Sequence, residues 1–76
     1  MITKIGIVAG EIWHFLDERG EVALSEIVSK IDRPRDNILM SIGWLAREGH
    51  ILLDEGALDY TVSLRKQADY EQVNKI

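Results

Sequence analysis

After Ile5 the apolar residues recur at Val8, Ala9, Ile12 and Leu16, the i, i+3, i+4, i+7, i+11 series of a helix with one buried face. Phe15 and Trp13 flank that stripe, and the pattern predicts a first helix from about Thr3 to Glu18. Gly20 supplies a helix-ending residue that tolerates a left-handed backbone. Ile7 points away from the stripe and lies in solvent unless something covers it. Val22 and Ala23 are too short for an independent strand and are expected to pair with a later hairpin, which implies a small three-stranded sheet. Ser25 is expected to open a second helix, its hydroxyl accepting a hydrogen bond from a free backbone N–H, with Glu26 in the first turn where the helix dipole favours an acid. Ile27, Val28 and Ile31 give that helix its buried side. It ends at Asp32-Arg33-Pro34, because the residue before a proline is disfavoured in helical geometry.

Pro34 suits the first turn of a new helix. This third helix is predicted over Pro34 to Glu48, with Ile38, Ile42 and Leu45 as its core face, Ser41 beside them, and Gly49 ending it. Ile51–Leu53 and Tyr60–Leu64 read as strands around the turn-rich Asp54-Glu55-Gly56-Ala57, so a hairpin with a loop of several residues follows. Beyond Arg65 the pattern weakens. Ala68, Val73 and Ile76 give either the sparse apolar side of a short helix or a disordered tail.

The order is helix, strand, helix, helix, strand, strand: a mainly α domain with a small β wing over residues 1–64, followed by a tail at 65–76. Two helices joined by a tight turn and followed by a hairpin make a winged helix-turn-helix. The segments Leu24-Ser25-Glu26-Ile27-Val28 and Ile42-Gly43-Trp44-Leu45-Ala46-Arg47-Glu48-Gly49-His50-Ile51 resemble that family. The Gly-Trp-Leu-Ala-Arg-Glu-Gly stretch and the compact length look like the small uncharacterised prokaryotic winged helix-turn-helix proteins that consist of this domain and little else. The resemblance spans roughly Thr3 to Leu64. It implies the fold; for function it implies either a DNA-binding regulator or a module that binds only proteins.

Composition narrows the setting. A chain of 76 residues is one domain near the lower size at which a core suffices for folding. Hydrophobic residues make up 46% and charged residues 29%, the balance of a globular chain. Without cysteine there is neither a disulfide framework nor a thiolate zinc site. No apolar run is long enough to cross a bilayer and no signal-peptide succession opens the chain, so a cytoplasmic location and no membrane partner are expected. Nine basic against thirteen acidic side chains give a net charge of −4, which opposes long-range attraction to a phosphate backbone.

In a DNA-binding member the outer face of the third helix enters the major groove, where Arg, Lys, Asn and Gln read base edges. Here that face carries Asn37, Met40, Trp44 and Arg47, with Asp36 and Gly43 at its margin. Arg33 and Arg35 stand at the start of the helix and Lys30 in the preceding one. The candidate duplex-DNA contacts are therefore Lys30, Arg33, Arg35, Asn37, Ser41 and Arg47. The opposing reading is a solvated helix entrance whose arginines pair with Asp32 and Asp36. The wing offers Asp54, Glu55 and Asp59 and no basic residue between Ile51 and Leu64, so phosphate repels it.

Met40 and Trp44 lie one turn apart, and with Ile7 they are the candidate contacts for a homodimer or a protein partner. The alternative folds Trp44 down onto the wing as core. His14 and His50 have no partner at metal-ligand spacing. Asp17 with Glu18, and Asp54 with Glu55, read as solvated charges. No phosphate-cradling loop or nucleophile motif is present, so no enzyme activity and no cofactor are expected. Two functional readings follow: a homodimeric, transcription-regulator-like DNA binder working through the third helix, and a protein-interaction module on the same scaffold.

Overall fold

The structure, a computed structural model, describes residues 2–65; the apolar side expected over 68–76 lies outside the described residues. The expected order appears in full: α1 (Ile2–Arg19), β1 (Val22–Ala23), α2 (Leu24–Lys30), α3 (Arg35–Arg47), β2 (Ile51–Glu55) and β3 (Tyr60–Leu64). The strands form one antiparallel sheet in the order β1-β3-β2. Val22 pairs with Val62, so the two-residue strand survives only as an addition to the hairpin, as its length required.

From Val8 onward the α1 stripe is buried, while Ile5 at its start is only half-buried. Val8, Ala9, Ile12 and Leu16 are buried together with Ile27 of α2, Ile38, Ile42 and Leu45 of α3, and Val22, Ile51 and Val62 of the sheet. Phe15, Val28, Ile31 and Leu64 pack around this cluster with part of their surface in solvent. Each fully buried Ile or Val stabilises the fold by roughly 1.5–3 kcal/mol relative to exposure, and with so few of them no single contact is dispensable. Gly20 and Gly49 adopt φ of 82° and 81°, the left-handed geometry that ends a helix at low cost only for glycine. Gly20 N–H donates to the Leu16 carbonyl at 2.7 Å, which closes α1.

Element ends differ from expectation by a residue at α1, α2 and α3 and by two at β2. α3 starts at Arg35, one residue later than expected, because Pro34 sits in extended geometry (φ −58°, ψ 142°) as the flanking residue, its carbonyl accepting from Ile38 N–H at 3.1 Å. β2 continues through Asp54 and Glu55, which pair with Thr61 and Tyr60; hairpin closure extends the ladder over residues of low strand propensity. Ser25 does not cap α2. The helix begins at Leu24 with Ala23 as flanking residue, and no side chain of the flanking residue bonds its free N–H groups.

Ile38 of α3 is fully buried in the core cluster. Ile38→Val is expected to cost about 0.5–1.5 kcal/mol, while Met40→Ala, two positions along on the exposed side, changes stability by less than about 0.5 kcal/mol. Urea unfolding of the two variants against the parent checks the pair.

Candidate functional site

With Ile38, Ile42 and Leu45 turned inward, helical periodicity turns Asp36, Met40, Gly43 and Arg47 outward, with Asn37 and Trp44 along one flank of that face. Met40 is 49% exposed and Trp44 46%. The Trp44 ring lies 6.2 Å from the His50 ring at a 40° tilt, so one side of the indole rests against the start of the wing while the other faces solvent. Trp44 is thus not core. Its exposed face and Met40 form an apolar ridge on the side of α3 that would address a nucleic acid groove in a base-reading member.

Two of the six expected DNA contacts are engaged within the fold. Ser41 is fully buried and its hydroxyl donates to the Ile5 carbonyl of α1 at 3.3 Å. As a base or phosphate contact it is withdrawn: three residues after Ile38, it falls on the core side of α3. Arg33 is also withdrawn as a free cation. Its Nε and Nη2 groups donate to the two carboxylate oxygens of Glu11 at 2.9 and 2.6 Å, the paired fork geometry that satisfies both groups at once. The expectation that the arginines pair with Asp32 and Asp36 named the wrong acid for Arg33; the partner is twenty-two positions away on α1, a distance that no local pattern reveals. The hydrogen bonds from Arg33 hold the Glu11 carboxyl below its ordinary range, and the same contact raises Arg33. Lys30, Arg35 and Arg47 remain exposed and Asn37 half-exposed, but Asp32 and Asp36 interleave with them.

One acid of the wing has a structural function that the sequence reading missed. Gly56 N–H donates to the Asp59 carbonyl at 2.9 Å across the hairpin loop. A Cβ at Gly56 would sit 2.5 Å from that oxygen, so only glycine permits the closure. The loop thereby carries Asp59 to the start of α2, where its carboxylate accepts from the Ser25 hydroxyl and the Ser25 backbone N–H. A carboxylate from another element thus caps a helix that its own flanking residue leaves uncapped, next to the positive end of the helix dipole. These bonds, that from the Ser25 hydroxyl above all, hold the Asp59 carboxyl below its ordinary range. Asp54 and Glu55 remain exposed, and Leu58 at the wing tip is 100% exposed. Among the described residues no group of three or more His, Asp or Glu side chains is placed to hold a metal ion, and no helix is long and apolar enough to cross a membrane.

Comparison with known proteins agrees with this architecture. Residues 1–64 match the family described as "Winged helix-turn-helix domain (DUF2582)". The chain is similar to the uncharacterised protein MJ1608 of the archaeon Methanocaldococcus jannaschii, 38% identical over 68 residues that cover 86% of this chain and 96% of that protein. Its fold is similar to the solution NMR structure of protein BT2368 from Bacteroides thetaiotaomicron, with a TM-score of 0.76 and 24% identity over 90% of this chain and 83% of that one. The identity is low enough that this likeness speaks for the fold alone.

The Asp59 cap carries a pH signature. Because folding lowers the Asp59 carboxyl, the stability it contributes is complete above its unfolded-state value and is lost as pH falls through the lowered folded-state value. Asp59→Asn is expected to flatten that acidic limb of the thermal midpoint against pH, with Glu11→Gln removing a further part of it. Differential scanning calorimetry from neutral pH down to the acid transition checks both; an unchanged limb in Asp59→Asn would remove the cap from the account.

Proposed function

Because the chain belongs to this family of winged helix-turn-helix domains, we propose that it is a non-enzymatic protein-interaction module of the cytoplasm, in which the outward face of α3 docks a protein surface. The observation that carries this reading is the ridge of half-exposed Met40 and Trp44, where a base-reading helix would place cations and amides. Large apolar and aromatic side chains with one free face are the usual anchors of protein interfaces. Asp36 and Arg47, on the same outward face, provide a polar rim of both signs. The wing supports the same reading: an acidic strand end and a bare leucine at the tip suit a protein surface better than a polyanion.

DNA binding is the second reading, favoured by the exposure of Lys30, Arg35 and Arg47 with Asn37 half-exposed beside them. It now rests on these four side chains without Ser41 and Arg33. It requires α3 to enter the groove with Met40 and Trp44 against the bases and with carboxylates at Asp36, Asp54 and Glu55 beside phosphate.

A low-salt titration of the isotopically labelled chain with mixed-sequence duplex DNA separates the two. No saturable amide shifts are expected. Saturable shifts centred on Arg35, Asn37 and Arg47, fading as salt rises, would install the DNA reading instead. In parallel, a photo-crosslinking side chain at position 40 is expected to trap a protein adduct in the native host. Trp44→Ala should abolish that adduct while costing only about 1 kcal/mol of stability, since half of the indole is already in solvent.

A further inference from the structure

The outward face of α3 carries a charge of opposite sign at each end and, between them, a glycine that the monomer does not explain. Asp36 and Arg47 are eleven positions apart, close to three whole turns, so they lie within about 20° of each other around the helix axis. Met40 and Gly43 fall within about 40° of both, and Trp44 borders them on one flank. All five are exposed. Neither Asp36 nor Arg47 makes an ion pair within the chain among the described residues. Gly43 has no positive φ, and a Cβ there would meet nothing within 4 Å. The chain's own packing therefore does not call for glycine, which weakens a helix interior relative to alanine. Beside the half-exposed Met40 and Trp44 it leaves a gap in an otherwise bulky face, open to a side chain from outside.

We infer that the partner of this face is a second copy of the chain, the two α3 helices lying antiparallel about a two-fold axis at the level between Ser41 and Ile42. The inference rests on the reading of α3 as a protein-docking face and names what docks there. Charge selects both occupant and direction. In that arrangement Asp36 of each copy is level with Arg47 of the other, twice over by symmetry. The same register sets each Met40 level with the other copy's Gly43, a large side chain against a gap. Each Trp44 then stands one residue's rise, about 1.5 Å, from the level of the other copy's Met40, which gives the exposed indole an apolar neighbour. A parallel pair would set Asp36 against Asp36 and Arg47 against Arg47 and align the helix dipoles, whereas the antiparallel pair opposes them. A different protein would have to reproduce an acid and a base at this spacing around a bulky residue and a gap; a second copy carries them already.

Sedimentation equilibrium of the full chain from low to high micromolar concentration tests the inference, with a monomer–dimer equilibrium expected. Gly43→Gln should keep or raise the thermal midpoint of the dilute monomer, because the helix gains a better former in open space, while weakening the dimer at least tenfold. Asp36→Arg and Arg47→Asp should each weaken it, and the two together should restore it, with circular dichroism checking that each variant is folded. In the purified chain a photo-crosslinking side chain at position 40 is expected to join two copies, the adduct mapping to Gly43 or Trp44 of the second. A chain that stays monomeric at high micromolar concentration overturns the self-pairing. If the position-40 probe then still traps a different protein in the native host, and Trp44→Ala abolishes that adduct, docking by α3 stands without it; if nothing is trapped, both readings fall. A dimer indifferent to Gly43→Gln places self-association on another face and also overturns the inference. Failure of the charge exchange to restore the dimer overturns the antiparallel register.

Discussion

The packing of α1 on α3 governs what this molecule can present to others. Val8, Ile12 and Leu16 on one helix and Ile38, Ile42 and Leu45 on the other share one small core with the sheet, and a core of this density tolerates no rotation of either helix without opening a cavity. Once those faces are turned inward, the roles of the remaining positions follow from the helical repeat. Ser41 falls inside and bonds to the backbone of α1, while Met40 and Trp44 fall outside. The identity of the outward face of α3 is therefore a consequence of the core.

The charged residues divide in the same way between internal and external use. Arg33 and Glu11 tie the turn between α2 and α3 to α1, and Asp59 ties the wing loop to the start of α2. Arg19 bridges α1 and α2 by reaching Glu26 at 3.4 Å, with its guanidinium 4.6 Å over the Phe15 ring. Exposed pairs of this kind add little each to stability, but each joins two elements across the surface. The Arg33 pair also withdraws a cation from the surface that a winged domain would need in order to meet nucleic acid. The acidic balance of the chain and the engagement of Arg33 thus act in the same direction.

Among the described residues the surface left over is apolar in three places: on α3, on α1, and on the wing, where Leu52, Leu53, Leu58 and Tyr60 are exposed. The first lies where members of this architecture meet their targets, beside the wing. The second lies on the helix most remote in sequence from it, around two glycines with no structural need of their own.

Reading the chain alone was sufficient for the element order, the three-stranded sheet, most of the α1 stripe and the outward placement of Ile7 and Met40; for Trp44 it left open both solvent and the wing. Each of these is periodic, and the helical or strand repeat converts spacing directly into side. Glycine chemistry likewise located the ends of α1 and α3, because the left-handed backbone is a local property. Tertiary structure alone decided which charges were free. Glu11 meets Arg33, and Asp59 meets Ser25, across thirty-four positions in the second case, and contacts between distant parts of a chain leave no trace in its local pattern. For the same reason Ser41, hydrophilic by composition, looked available until its helix was set against α1 and its hydroxyl acquired a partner inside.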